Sequence, residues 1–444
     1  MSGTQPSDHT PVDGELPAGW ELCSIGALPS DGEFFDGDWV ESKDQDPTGD
    51  VRLTQLADVG EGTFRDRSDR WLRPDQAEQL QVNYLQEGDL LIARMPDPLG
   101  RCCLLPRLEY PAVTVVDVAV LRIRNPKINN PFIMWILNSP SLRQLIVELA
   151  SGTTRQRISR KNLGTIELPI PPLAEQERIV EILEEQLSRL DAALESVRIV
   201  RKKAAQFRRS LLHSAVVGTL TGDSADGTDL PEAWKPLTLG DLSKLIRNGI
   251  FVSRPAASPP GLPIFRISAV RQMHLDAEDV RYVDPEPPRA EEFRLTPGDL
   301  LFTRYSGSRD FVGACAVVPA ECEGVMHPDK LIRVIVDDTQ VTPAFAAVAA
   351  SSPLGREWLE SVMRTTAGQT GIAGRDLRRF PILTPPVAKQ KEILEILEEQ
   401  LSRLDAALAV ADSVEKRSAA LRRSLLHAAF TGRLTEQWRE QTNV

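Results

Sequence analysis

The stretch Glu181–Leu194, EILEEQLSRLDAAL, returns letter for letter as Glu395–Leu408, 214 residues further on. Within it Leu183, Leu187, Leu190 and Leu194, continued by Val197, step by four and three in turn, the seam of a coiled coil. The second copy repeats the seam as Leu397, Leu401, Leu404, Leu408 and Ala411. Pro171-Pro172 and Pro385-Pro386 stand just before each helix, where a missing N–H does no harm. Gly218 and Gly432 mark the ends. Uninterrupted from Leu173 to His213, such a helix is roughly 60 Å long at about 1.5 Å per residue. A helix of that length with one narrow apolar stripe needs a partner, and its own copy supplies one. A pseudo-twofold axis across the pair makes the helices antiparallel.

The repeat extends beyond the helices. Arg208-Arg209-Ser210-Leu211-Leu212-His213 is answered by Arg422-Arg423-Ser424-Leu425-Leu426-His427. Leu16-Pro17-Ala18-Gly19-Trp20 is answered by Leu230-Pro231-Glu232-Ala233-Trp234 at the same offset. Between opening and helix lies a block of about 150 residues, an ordinary domain size. Val51–Thr54 and Phe265–Ser268 are expected as counterpart strands, and Gly26–Pro47 as loop. Gly88-Asp89-Leu90-Leu91 and Gly298-Asp299-Leu300-Leu301 are Gly-Asp turns entering buried strands that run out at Arg94 and Arg304. Val113–Ile123 and Met326–Val336 supply further strands, and Pro131–Leu149 and Pro343–Met363 are expected as helices. The expected division is a disordered tail (1–15), a first block (16–165), a helical spacer (166–221), a polar linker (222–229), a second block (230–380), a second spacer (381–435) and a C-terminal tail (436–444). The offset drifts to 210 at the Gly-Asp-Leu-Leu motif and recovers by the helices. The blocks have therefore diverged where the helices have not, which suggests different targets for the blocks and a shared duty for the helices.

A formal charge of −11 argues against coating DNA by bulk charge but leaves room for local basic faces. Five cysteines without a C-x-x-C pair fit a reduced, cytoplasmic protein, and no apolar run approaches a membrane span. Catalytic signatures are missing: there is no G-x-x-x-x-G-K-[ST], and Asn129-Asn130-Pro131-Phe132 lacks the second proline and the glycine-rich loop of an adenine methyltransferase. It is read instead as a helix start. His213 and His427, single and without partners, are read as packed or capping.

Block, long helix, block, long helix, with Leu-Pro-x-x-Trp openings, Gly-Asp-Leu-Leu strands and Pro-Pro-[Leu/Val]-x-x-Gln helix starts, resembles the DNA-specificity subunit of type I restriction–modification systems from about Leu16 to Thr435. The resemblance implies an α+β fold. Two mixed α/β target recognition domains are separated by two long antiparallel helices that form a coiled coil with a pseudo-twofold repeat. It also implies the partners: double-stranded DNA read as a bipartite, asymmetric site, two methyltransferase subunits, and restriction subunits. S-adenosylmethionine, ATP and magnesium are expected on those partners, with no cofactor or metal on this chain, no catalytic residue and no membrane. Two other classes stand beside this one: a coiled-coil scaffold that never meets DNA, and an accessory part of a self-contained methyltransferase or nuclease.

The candidate DNA contacts are polar and basic residues in loops, because arginine grips phosphate and forks onto guanine in the major groove. Arg94 and Arg304 stand at equivalent strand ends, followed by Arg101 in one block and Tyr305, Ser306 and Arg309 in the other. Arg155 and Arg157, and Gln369 and Thr370, lie in the Gly/Thr-rich loops that close each block. Arg52 and Arg266 lie on strands, where a structural ion pair competes with a DNA contact.

Overall fold

A computed structural model describes residues 16–442 apart from 153–154, 227–228, 230 and 367–368. The tail over 1–15, Thr153-Thr154 and Ala367-Gly368 of the closing loops, and Leu230 of the second opening lie outside the described residues. The chain divides into two compact units, 1–197 with 413–444, and 198–412. The division therefore falls inside each long helix, so each unit holds parts of both repeats.

The long helices run Leu173–Val217 and Val387–Phe430, 45 and 44 residues. In the first unit, Leu183 and Leu187 are buried in one core with Leu426, Ala429 and Phe430, and Leu190 packs at its edge beside Leu425. In the second, Leu397 is buried with Leu211, Leu212 and Ala215, with Leu401 at its edge. Start therefore meets end in each unit, the packing of an antiparallel pair. Leu194, Leu404 and Leu408 are half-buried. His213 and His427 are exposed, which removes the packed alternative of their expected packed or capping role; on a narrow seam they fall on the solvent side.

The helix starts explain the Pro-Pro-[Leu/Val]-x-x-Gln motif. Gln176 is fully buried; its amide donates to the carbonyls of Pro171 and Lys127, and its oxygen accepts from Asn129 N–H at 2.8 Å. Gln390 does the same with Pro385, Gln340 and Thr342 N–H. Asn129 and Thr342 are in turn the caps of the helices Asn130–Leu137 and Pro343–Ser351, accepting from Phe132 and Phe345 N–H. One glutamine thus ties each long helix to its block.

In the first unit, Glu33–Asp36, Val118–Arg122, Leu90–Ala93 and Cys102–Leu104 form, in that order, a four-stranded antiparallel sheet. Val51–Thr54 pairs with Trp71–Leu72 and, in parallel, with Ala112–Thr114. The second unit orders Ser243–Asn248, Leu331–Val336, Leu300–Thr303 and Cys315–Val317 in the same way. The Gly-Asp turn has one job in both. Gly88 and Gly298 take φ of +85° and +91°, which a side chain disfavours. Asp89 then accepts from Gln86 N–H and pairs with Arg122 at 2.7 Å; Asp299 accepts from Thr296 N–H and pairs with Arg333 at 2.6 Å. These carboxylates are almost wholly buried, so each needs its arginine.

Several expectations are corrected. Glu33–Asp36 is an edge strand inside the presumed loop Gly26–Pro47. The strand expected over Phe265–Ser268 ends at Phe265 and gives way to a short 3-10 turn, Ile267–Ala269. The expected single helices are pairs, Asn130–Leu137 with Pro140–Glu148 and Pro343–Ser351 with Pro353–Val362. Proline forces each break, and Ser139 and Ser352 cap the helices that restart. Glu436–Thr442, expected as tail, is helical. Among the described residues no helix is long and apolar enough to cross a membrane, and all five cysteines are free thiols.

Candidate nucleic-acid interface

The first unit spends three of the expected contact arginines on its own interior. Arg101 is buried, donating to the carbonyls of Val59 (2.6 Å), Pro98 (2.9 Å) and Leu56 (2.6 Å). Burial, with repulsion from Arg65 and Arg143, holds its pKa below the usual arginine value. Arg94 is buried too, paired with Asp36 and donating to Ile158 carbonyl at 3.1 Å. Arg52 pairs with Asp66 at 2.7 Å, its guanidinium 5.0 Å from the Trp71 ring and 5.9 Å from that of Tyr110. These three are expected from the sequence as DNA contacts; the structure buries their side chains and gives each guanidinium partners inside the block.

Arg155 is exposed, and Arg157 is half-buried, 3.3 Å from Asp117 and donating to Val116 carbonyl. Both line an open groove of ≈ 820 Å³ with Met95, Gln55 and Trp39, an indole left 70% exposed. A second basic feature escaped the sequence reading. Asp58 is wholly buried and accepts from the backbone N–H groups of Gln55, Arg67 and Ser68. It folds the run Arg65-Asp66-Arg67-Ser68-Asp69-Arg70 into a loop with Arg65, Arg67 and Arg70 exposed. Among the described residues Arg65 and Arg67 have no carboxylate partner. The alternating signs of this run look neutral in sequence. The signal was that Asp66 is consumed by Arg52, leaving its neighbours uncompensated.

The second unit gathers what the sequence scattered. Tyr305–Ser306 pairs with Gln369–Gly371, which turns back onto Arg364–Thr366. The two loops singled out in this block therefore form one small sheet. Arg304 stacks on Tyr305, 4.6 Å from guanidinium to ring, and donates to Asp329 carbonyl at 3.2 Å. A Cβ on Gly371 would come within 2.2 Å of the Tyr305 ring, so glycine is what lets the tyrosine lie there. Gln369 and Arg309 are exposed, Ser306 is half-buried, and Thr370 is buried with its hydroxyl 3.1 Å from that of Thr365. Arg364, Arg375, Arg378 and Arg379 are exposed as well. Arg266 stands apart from this sheet, paired with Asp279 at 3.0 Å. Cys103 and its neighbours offer no chemistry: burial pushes the Cys103 thiol up to about 12.

Basic and aromatic loops on two repeated α/β blocks, joined by paired helices, define a DNA-specificity protein. Residues 74–199 match the family described as the type I restriction modification DNA specificity domain. The specificity subunit of the type I restriction enzyme EcoKI of Escherichia coli K12 is 34% identical over 311 residues, 70% of this chain and 67% of that one. That of StySPI from Salmonella potsdam is 27% identical over 310 residues, 70% and 66% of the two chains. A chain from a solved type I restriction–modification assembly superposes with a TM-score of 0.67 at 18% identity, covering 95% of this chain and all of that one. The HsdS subunit of Thermoanaerobacter tengcongensis gives 0.54 at 19%, covering 94% and 98%. The chain belongs to the type I specificity-subunit family: a non-catalytic subunit for sequence-specific DNA recognition within a restriction–modification complex.

Proposed function

We propose that the two blocks read the two halves of one bipartite, asymmetric DNA site and that the chain scaffolds two methyltransferase subunits and the restriction subunits. The carrying observation is that the two blocks, built alike around the Gly-Asp turn and the buried glutamine, present different polar residues. The first offers Arg65 and Arg67 on one loop and Arg155 in the groove that Trp39 lines; the second offers Arg304, Tyr305, Arg309 and Gln369. Arginine and glutamine are suited to fork onto guanine and adenine edges, and the exposed arginines without partners to hold phosphate. S-adenosylmethionine, ATP and magnesium would be held by the partner subunits, in the cytoplasm where the DNA is. The test is a titration of the assembled complex against duplexes at stated salt, with block 16–165 exchanged for that of a relative. A change in one half-site alone supports the reading; a change in both overturns it.

A further inference from the structure

The repeated leucines of the long helices, and the ion pairs beside them, do not distinguish one repeat from the other. Asp191 pairs with Arg422, and Asp405 with Arg208, the same two positions with the copies exchanged. A first repeat could therefore pair with a second copy of itself through the same leucines and the same ion pairs. The sharpest discrimination comes from positions where the repeats carry opposite charge.

Two such places exist. After each helix the chain turns at a left-handed glycine, Gly218 (φ +84°) or Gly432 (φ +75°). Each glycine packs on the opening proline of a block, Gly218 on Pro231 and Gly432 on Pro17, themselves repeat mates. Leu220 and Leu434 close the two turns alike, donating to Ser214 and Ala428 carbonyls. The segment that follows then clasps the start of the other repeat's helix. In the first unit the receiving residue is Glu175, wholly buried, which accepts from Trp20 Nε1 (3.0 Å), Thr435 Oγ1 (2.6 Å) and the Arg439 guanidinium. In the second unit the repeat mate of Glu175 is Lys389, and it pairs with Asp223 at 3.4 Å. The polarity is reversed: acid receives base in one clasp, base receives acid in the other. Mid-helix, Arg201 pairs with Asp412 at 2.6 Å. The repeat mate of Asp412 is Arg198, and that of Arg201 is Glu415.

We infer that these reversed charges are a pairing code that makes each repeat accept only the other. In a pair of first repeats, Glu175 would meet Asp223, and Arg201 would meet Arg198. In a pair of second repeats, Lys389 would meet Arg439, and Asp412 would meet Glu415. Leaving Glu175 buried against another acid is the costliest of these, because a buried charge stripped of its partner is not compensated by solvent. Homotypic pairing would join two identical blocks and so present a symmetric surface. The code keeps the assembly heterotypic, and it holds whether or not the blocks read DNA as proposed.

The test uses the intact chain with a protease site placed between Asp226 and Pro231, folded first and then cut. Light- and heavy-isotope preparations are mixed, and native mass spectrometry counts first–second, first–first and second–second pairs. Wild-type pieces are expected to exchange only into first–second pairs, homotypic ones being roughly 100-fold rarer or more. D223R/R439D exchanges the charges of the two clasping segments and leaves both receiving sites untouched, so it should re-sort toward homotypic pairs. Homotypic wild-type pairs, or strict first–second pairing in the exchanged variant after label exchange, would overturn the code. If the pieces do not exchange labels, the uncut chain decides. There D223R should lower the melting temperature and added K389D should restore most of the loss; failure to restore it overturns the code equally.

Discussion

Asp191 and Arg422 stand 3.1 Å apart across the helix pair, and Asp405 and Arg208 repeat that pairing with the copies exchanged. Exchange of this kind arises only when the helices run antiparallel. The pairs are solvent-accessible, so they set register more than they add stability. Cohesion comes from the leucines beneath them.

Seam leucines should therefore rank by burial. Leu183→Ala and Leu397→Ala, at 0% and 1% exposure, should each cost about 2–5 kcal/mol in denaturant unfolding. Leu194→Ala and Leu404→Ala, half-buried, should cost clearly less. Equal losses at all four would mean that the seam is not graded as the structure has it.

Arg101→Ala should destabilise the first block rather than weaken DNA contacts directly. It strands the carbonyls of Val59, Pro98 and Leu56, and each buried group left unsatisfied costs roughly 1–3 kcal/mol. Urea unfolding should shift strongly, while the folded fraction keeps wild-type DNA affinity. A normal midpoint with lost DNA binding would return Arg101 to the interface.

The sequence made the repeat, the long helices, the Gly-Asp turns and the helix starts legible because each depends on neighbours a few residues away. Which arginines face outward was not legible. Arg94 is consumed by Asp36 and Arg101 by carbonyls at 56 and 59, partners that only the folded sheet brings near. The same non-locality hid Arg65 and Arg67, whose exposure depends on Asp58 and on the engagement of Asp66 by Arg52. The loops around Tyr305 and Gln369 were picked out separately; their pairing into one sheet belongs to the fold.

His327 should make the second block acid-sensitive. It is buried, donates through Nδ1–H to the Phe293 carbonyl at 2.8 Å, and burial pushes its pKa down to about 4 from an ordinary value near 6.5. The unfolded chain therefore binds the extra proton first as pH falls. Stability from this group is full above about pH 6.5 and is lost progressively toward pH 4, by roughly 3 kcal/mol at most. His327→Gln should flatten the unfolding free energy over that window; an unchanged slope would assign the acid sensitivity to other groups.

Arg67 and Arg304 should fail in different ways when removed. Arg67 is exposed on a loop held by Asp58 and, among the described residues, has no carboxylate partner, so it suits phosphate. Arg67→Ala should weaken binding of the assembled complex about equally across sequences and reduce the salt slope by about one. Arg304 is held by Tyr305 and the Asp329 carbonyl, a fixed geometry suited to a base edge. Arg304→Ala should cost about 1–3 kcal/mol of binding and relax preference in one half-site only. The comparison is internal to one assay: a panel of duplexes mutated in either half-site, titrated at several salt concentrations. If Arg304→Ala weakens all duplexes evenly with a reduced salt slope, it too holds phosphate, and base reading in this block passes to Gln369 and Arg309.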